Sequence, residues 1–519
     1  MMSSLSNSSA PGLLFCLVIC NVLFAESLLL GQVTGPTRSS YQVNVDPLGH
    51  NILGDAANEP SLCVDPTDPR RIAIGWRQFD DVQSDFRQAG WAYSTNGGLS
   101  WTFPGVLEPG IFRSDPVLAS DASGTFYYLG VITNGNLHCD LFCSTNGGVS
   151  WISLGMAEGG DKEWMTIDTS TGPSRGTLYQ AWSPDYNFAN DPNQIFSRST
   201  DGGKAWMSAK AIPRQPYWGT LAVGPSGELY IVGWDGTDFC VNRSTNAANP
   251  NAVSTFDLTT QVNLGGDMVF GAPVNPVGLI GQPWVSVDSS SGPGRGNVYV
   301  LAAVTGLGNP ANIMFSRSTD QGLTWSAPLR LNDDPENVNA YHWFGTLSVA
   351  PNGRVDACWN DTRHSSPTNN VSELFYTYSE DGGVTWSTNN AISPAFDHTL
   401  GYPTQEKMGD YIGMVSLDSG TFIAYTATFN GEEDIWFARV ELPIHVNIAL
   451  TPQAAQISWQ TFPGRTYCVQ AKDGLETSWS TAINLGCASG GGGTATMMDY
   501  SVTNGAARFY RVVTQPYSD

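Results

Sequence analysis

One element returns five times along the 519 residues: Ser94–Trp101 (STNGGLSW), Ser144–Trp151 (STNGGVSW), Ser199–Trp206 (STDGGKAW), Ser318–Trp325 (STDQGLTW) and Ser379–Trp386 (SEDGGVTW). A repeat of this kind constrains the fold more than any composition, because stacked copies of one unit must bury each other's faces. The Asp or Asn at its third position can accept the N–H groups of a tight turn. Its Gly supplies a positive φ, and its Trp offers a large apolar body for packing between sheets. The element reads as a stapled hairpin, structural and not catalytic. A sixth copy begins at Ser244 (STNAANP) and keeps only the first three residues.

Upstream of each copy lies a second pattern: a short apolar strand, a Gly-containing turn and another apolar strand. Examples are WMTID then GTLYQAW, WGTLAVG then GELYIVGW, and WVSVD then GNVYVLAA. With PSLCVDP, DPVLASD, WFGTLSVAP and DYIGMVSL as the other first strands, seven units start near Pro60, Asp115, Trp164, Trp218, Pro283, Trp343 and Asp410. Their spacing, roughly 50 to 65 residues, suits one four-stranded blade with its loops. The seventh unit has only three strands (MVSL, TFIAYTA, DIWFARV) and no copy of the box. Tyr41–Asp46 (YQVNVD) alternates apolar and polar residues and is expected to supply its outer strand, which closes a ring and removes an exposed edge.

The expected fold is therefore all-β: a seven-bladed β-propeller over residues 41–441, with a six-bladed ring as the alternative that leaves one unit over. From Leu442 the composition changes. Ala455–Trp459, Thr466–Val469 and Arg508–Val513 read as strands of a small C-terminal β-sandwich over residues 442–519, with Gly490–Gly493 as a turn inside it. Composition agrees, since 56 Gly, 17 Trp and only 14% charged residues suit many short strands and tight turns. The formal charge of -23 repels a phosphate backbone, so nucleic acid is not an expected partner.

Leu13–Ala25 (LLFCLVICNVLFA) is too short to span a membrane and fits a signal-peptide core, with cleavage expected after Ala25. The mature chain is expected to be secreted or held at the cell surface as a monomer, without a membrane span. No Lys or Arg precedes the run, and Cys20 lacks the small residue that should precede a lipidated cysteine. Seven cysteines follow the signal, so at least one stays unpaired. Cys468 and Cys487 are candidates for a disulfide, and Cys63, Cys240 and Cys358 read as buried thiols.

Four further segments carry a resemblance: Asn58-Glu59-Pro60-Ser61, Asp161-Lys162-Glu163-Trp164, Trp359-Asn360-Asp361-Thr362-Arg363 and Gly409-Asp410-Tyr411-Ile412-Gly413. With the boxes, they resemble the bacterial BNR/Asp-box repeat family usually labelled exo-α-sialidase, over about Asn58 to Val440. That resemblance implies a secreted, glycan-directed propeller. Residues 442–519 resemble a fibronectin type III-like module, which implies attachment or spacing. Sialidases also carry a Phe/Tyr-Arg-Ile-Pro motif that begins a three-arginine clamp on the sugar carboxylate. No such tetrapeptide occurs here, and Arg113 in Ile-Phe-Arg-Ser-Asp-Pro is its nearest approximation.

In a propeller the residues before each first strand and after each second strand share one face around the axis. Sialidase-type hydrolysis needs cations for the sugar carboxylate, a Tyr nucleophile polarised by a carboxylate, and an acid for the leaving oxygen. That face offers Arg77 and Arg363 as a clamp, joined by Lys162 or Arg113. It offers Tyr411 as nucleophile with Glu163 or Glu59 as partner, and Asp115 or Asp361 as acid, with Asp410 lining the substrate. Each residue also has a plain structural reading, as a turn cap or a loop ion pair. The recurring Trp76, Trp182, Trp234 and Trp359 read as packing between blades.

No cofactor is expected. The acidic ring would suit calcium, but no DxDxDG-type loop occurs, and no Cys/His set has zinc spacing. The leading expectation is a sialidase-like glycoside hydrolase acting on an acidic sugar of a glycan or glycoconjugate. The alternatives are a non-catalytic glycan- or protein-binding propeller, and a polysaccharide lyase with His342 or Tyr341 as base.

Overall fold

A computed structural model describes residues 39–515 except 134–136, 185–192, 307, 337–338, 366–367, 443, 445, 452, 462–464, 474–476, 491–492 and 502–507. The signal segment, Cys20 and Gly491–Gly492 of the expected turn lie outside the described residues. Among those described there is no α-helix, and the chain is built from antiparallel strands. Two compact units are present, Gly35–Glu441 and Leu442–Asp519.

The first unit contains, among the described residues, seven antiparallel sheets with a core of four strands each. The first sheet runs Ala56–Val64, Ile72–Phe79, Arg87–Ser94 and Thr102–Val106 in sequential order. Its first two strands are buried at every residue, while the fourth has none buried. Burial thus falls from the first strand outward. The first strands of successive sheets touch in order: Ala56–Val64, Ser114–Ser120, Trp164–Ile167, Leu221–Val223, Trp284–Val287, His342–Val349 and Gly413–Leu417. The last of these touches Ala56–Val64 again, so the order is cyclic.

The seventh sheet takes its outer strand from the beginning of the chain. Ser39–Gln42 pairs antiparallel with Asp434–Glu441, with Tyr41 opposite Phe437. This strand begins two residues earlier than expected and stops at Gln42. Beyond it, the side chain of Asn44 accepts the Ile435 N–H at 2.9 Å, where a backbone partner would otherwise stand.

At the far end of the third strands sit the boxes. Ser94 Oγ accepts the Gly98 N–H at 2.9 Å and donates to Asn96 Oδ1, which accepts the Ser100 N–H at 3.0 Å. The copy at Ser318 repeats these bonds through Asp320, Gly322 and Thr324. The second glycine does more than permit a turn. Gly98 has φ +85°, and a Cβ there would lie 2.1 Å from the Phe437 ring of the seventh sheet. Trp101 packs edge-on to the same ring at 5.2 Å. Each box is therefore pressed onto the sheet before it.

The degenerate copy at Ser244 keeps the staple. Ser244 Oγ accepts the Ala247 N–H at 3.0 Å, and Asn246 Oδ1 accepts the Thr255 N–H at 2.8 Å across nine residues instead of four. Phe256 then packs on Phe196 at 5.6 Å, in the place of the box Trp. An insertion hides this copy in the sequence without removing it from the fold.

The second unit holds two three-stranded sheets, Val446–Leu450, Ala455–Thr461, Gly493–Asp499 and Ile483–Ser489, Thr466–Lys472, Phe509–Gln515. Ile457 and Trp459 of one share a core with Tyr467, Val469 and Val512 of the other. Cys468 and Cys487, opposite each other on neighbouring strands, form a disulfide. Cys63, Cys139, Cys240 and Cys358 are buried thiols, and Cys143 is half-buried.

Candidate active site

The end of the sheets opposite the boxes is shaped by a recurring bulge. In the first sheet Asn58 faces Arg77, but Ser61 faces Gly75, so one residue is extra. The second and sixth sheets slip likewise, at Ser114/Val117 and Trp343/Thr346. Within each slip one residue is left-handed: Glu59 (φ 55°), Asp115 (φ 48°) and Phe344 (φ 59°). Lys162 (φ 55°) and Trp218 (φ 53°) take that conformation just before the third and fourth sheets. Pro60 and Pro116 follow two of these residues and lack the N–H that a regular ladder would need. A bulge re-aims the side chain it carries, and left-handed non-glycine backbone costs about 1–3 kcal/mol per residue. Strain placed at one end of five sheets marks that end as the place to look for function.

Three of these left-handed residues, Glu59, Asp115 and Lys162, enter one alternating chain of charges. Arg77 Nε lies 3.2 Å from Glu59 Oε2, and Glu59 Oε1 lies 3.2 Å from Lys407 Nζ. Lys407 Nζ is 2.6 Å from Asp410 Oδ2, which is 2.5 Å from Lys162 Nζ, itself 2.8 Å from Asp115 Oδ2. The six residues come from the first, second, third and seventh sheets or the segments leading into them. Arg77 is fixed further by Asn58 Oδ1 at 2.8 Å and Gln405 Oε1 at 2.9 Å, yet its Nη2 has no acceptor. Only the lysine side chains, 15% exposed at Lys162 and 10% at Lys407, reach toward solvent. Buried ion pairs of this kind add little net stability, but they fix positions, and losing one partner strands a charge.

The carboxyls of this chain are driven apart. Burial pushes Glu59 up to about 7, against the pull of Arg77 and Lys407. At Asp115 burial also opposes ionisation, but Lys162, Arg77 and Lys407 outweigh it and hold the carboxyl well below its usual range. Lys162 and Lys407 do the same for Asp410. Glu163 is 2% exposed, neither of its oxygens has a hydrogen-bond partner, and burial followed by Asp115 raises it far above the carboxylate range. It sits at the edge of the network, where burial favours its protonated form.

The structure thus brings together Glu59, Arg77, Asp115, Lys162 and Asp410. Glu163 and Tyr411 lie against this group, within electrostatic reach of Asp115, whereas Asp361, Arg363 and Arg113 are tied to other partners. Arg363 turns to Asp361 at 2.8 Å and Asp333 at 2.7 Å, with its guanidinium 4.3 Å from the Phe375 ring centroid. Asp361 is also taken by Trp359 Nε1 at 2.8 Å, so it braces a loop instead of facing the charge chain. Arg113 pairs with Glu108 and with Asp140, on the third strand of the second sheet. A clamp of Arg77, Arg363 and Arg113 is therefore not assembled.

Tyr411 is also placed otherwise than expected. It is 3% exposed, donates to the Pro116 carbonyl at 2.9 Å and packs edge-on to Trp164. Burial, then the neighbouring carboxyls of Glu59, Asp115 and Glu163, push its phenol well above its usual range and so oppose its ionisation. His342 is fully buried and bonded to the Ala311 carbonyl at 2.7 Å and Asp334 at 3.0 Å. Burial disfavours its charge, but Asp361 and Asp334 prevail and raise it above its usual range.

Trp76, Trp182 and Trp359 are buried in packing, whereas Trp234 is only half-buried. Among the described residues no group of three or more His, Cys, Asp or Glu is placed to hold a metal ion. The carboxylates that could have suited calcium hold lysines and an arginine instead. Lys407 is the member that reading strand starts missed. The signal was Lys-Met-Gly-Asp, where Gly409 (φ 93°) turns the chain so that Lys407 and Asp410 meet.

No family model matches the chain. It is similar to a sialidase from Bacteroides fragilis (25% identical over 323 residues, 56% of this chain and 47% of that protein). It is also similar to a xyloglucanase from Paenibacillus sp (25% over 334 residues, 56% of this chain and 29% of that protein). The match thus spans less than half the length of either relative. Among solved structures, the endosialidase of phage phi92 aligns with a TM-score of 0.44 at 11% identity, covering 82% of this chain and 74% of that one. A polysaccharide lyase, an ulvan lyase, aligns with a TM-score of 0.43 at 11% identity, covering 78% and 96%.

Proposed function

We propose that Gly35–Glu441 is a seven-bladed β-propeller acting as a glycoside hydrolase, on a glycan that carries an acidic sugar. The observation that carries this reading is the pair of unlike carboxyls, Glu59 and Asp115, presented by matching bulges in adjacent sheets. Glu59, pushed up to about 7, holds a proton at neutral pH, and because its own side chain is fully buried that proton reaches the leaving oxygen through the Lys407 ammonium 3.2 Å away, which donates to the oxygen and is reprotonated by Glu59. Asp115 stays ionised and stabilises the positive charge that develops at the sugar's anomeric carbon. Lys162 and Lys407, the members of the chain that reach toward solvent, are the donors for the sugar carboxylate and hydroxyls. The similarity to a sialidase and a xyloglucanase supports glycan chemistry for this chain. Export after Ala25, action as a monomer and a fibronectin type III-like tether at 442–519 complete the proposal.

The test compares leaving groups on acidic and neutral glycosides. Glu59→Gln should lower kcat by about 10²–10⁴ on a substrate with a poor leaving group and far less on an activated aryl glycoside, which needs no proton. Equal turnover by Glu59→Gln and the unaltered protein on both substrates would end the reading. A second reading, a non-catalytic glycan binder, draws on the near-complete burial and mutual pairing of the six charges. It predicts glycan binding with no turnover of either substrate class.

A further inference from the structure

At the fourth sheet the same bulge carries an aromatic side chain. Trp218 stacks nearly parallel to Trp234 (centroids 6.1 Å apart, planes 7° apart) and to Phe270 (5.8 Å, 16°). Trp234 ends the second strand of that sheet. Phe270 comes from a separate hairpin, Phe270–Ala272 with Asn275–Leu279, between the fourth and fifth sheets. Phe270 closes the stack and is 58% exposed. A ring left in water on a stack of aromatics is the form of a binding platform more than of a core.

The backbone under the stack is held tightly. Arg214 (φ 63°), Gln215 (φ 47°) and Trp218 (φ 53°) are three left-handed residues within five positions. Tyr217 and Trp234 exchange backbone hydrogen bonds of 2.7 and 3.1 Å. A Cβ at Gly219 would meet the Val232 carbonyl at 1.6 Å, so only glycine lets the loop lie this close to the strand. Strain concentrated beneath an exposed surface is a mark of a preorganised contact.

The stack is also joined to the charge chain. Ser183 N–H donates to the Asp161 carbonyl at 3.0 Å, and Ser183 Oγ accepts the Trp218 N–H at 3.2 Å, so one buried serine links the turn carrying Lys162 to the turn carrying Trp218. From the other side, the hairpin's Leu279 N–H donates to Asp410 Oδ1 at 2.8 Å, and Asn275 Nδ2 donates to the Gly409 carbonyl at 2.8 Å. The hairpin that carries Phe270 thus also positions a carboxylate of the charge chain.

We infer that Phe270, backed by Trp218 and Trp234, is a sugar-stacking subsite that takes a neutral pyranose of the same glycan whose reacting residue meets the charge chain. This deepens the hydrolase reading and rests on it for the identity of the second residue. An apolar ring face fits the C–H face of an uncharged pyranose, and no charged side chain belongs to the stack itself.

The test is calorimetric titration of the full chain with a neutral xyloglucan oligosaccharide. The unaltered protein should bind it. Phe270→Ala should weaken binding by about tenfold, and Phe270→Trp should retain it. Thermal unfolding of Phe270→Ala should match that of the unaltered protein, since the ring is mostly solvent-exposed. No binding by the unaltered protein, or equal binding by Phe270→Ala, would overturn the subsite. The hydrolase reading fails separately, through full turnover by Glu59→Gln, and this titration does not depend on turnover.

Discussion

The two ends of the same sheets use repetition in opposite ways. At the box end, Ser, Asp or Asn and an aromatic keep the stapled turn and the contact with the preceding sheet, even where Ala247 stands for the glycine and an insertion separates the parts, as in Ser244–Phe256. At the bulge end one backbone device recurs while its side chain changes from Glu59 to Asp115, Lys162, Trp218 and Phe344. A constant side-chain set holds sheets together. A constant backbone with a varied side chain builds a surface that differs from sheet to sheet, as a site for an asymmetric ligand requires.

The largest effect that separates the ends is expected at Gly98. Gly98→Ala combines a positive φ with collision against Phe437 and should destabilise by about 3–5 kcal/mol in chemical denaturation. Gly110→Ala, with a similar φ (+82°) and open space around it, should cost only about 1 kcal/mol. Equal losses would mean that the box glycine serves the turn alone. Phe256→Ala comes next, at about 2 kcal/mol, because the ring is half-buried against Phe196. A loss near zero would remove the sixth copy from the set.

The ends should also answer pH with opposite signs. At the box end burial is the largest single influence on Asp381 and opposes its ionisation, but the hydrogen bonds from Thr385 and Ser379 together outweigh it and bring it down to about 2. The stability it contributes is present above the unfolded value of 3.8 and is lost as pH falls toward 2. Beside the bulges, burial raises Asp55 to about 6 and Asp434 to about 7. Their folded forms keep protons that the unfolded chain releases, so their contribution is full below 3.8 and lost as pH rises through 6 and 7. Asp434→Asn should flatten the decline between pH 4 and 7 by up to about 1.4 kcal/mol per pH unit, measured by denaturation at each pH. An unchanged slope would mean that Asp434 is ionised in the fold. The smallest effect is expected at Arg363: Arg363→Lys should change turnover by less than about twofold, because its partners are Asp361 and Asp333 and not the charge chain.

Much of the frame was legible in the sequence because it repeats. The boxes, the units that follow one another and the returning strand near Tyr41 each leave a pattern that survives without coordinates. The site was legible only in part. Reading residues at strand starts and ends reached Glu59, Asp115, Lys162, Arg77 and Asp410, since position along a repeat decides which end a side chain occupies. It could not tell which carboxylate would capture a given cation. Asp333 and Asp361 take Arg363, and Glu108 and Asp140 take Arg113, from loops and strands distant from the central chain. Tyr411 lies deeper than a strand-start position suggests, because a strand pattern does not record depth. Lys407 escaped because a glycine turn, and not a strand start, aims it.

The central claim is that matching bulges hold two carboxyls in different protonation states at one pH. Infrared difference spectroscopy between the unaltered protein and Glu59→Gln isolates the Glu59 carboxyl. A protonated carbonyl band that disappears with a midpoint near pH 7 is the predicted result. A Glu59 already ionised well below that pH, with no such band near neutrality, would contradict it.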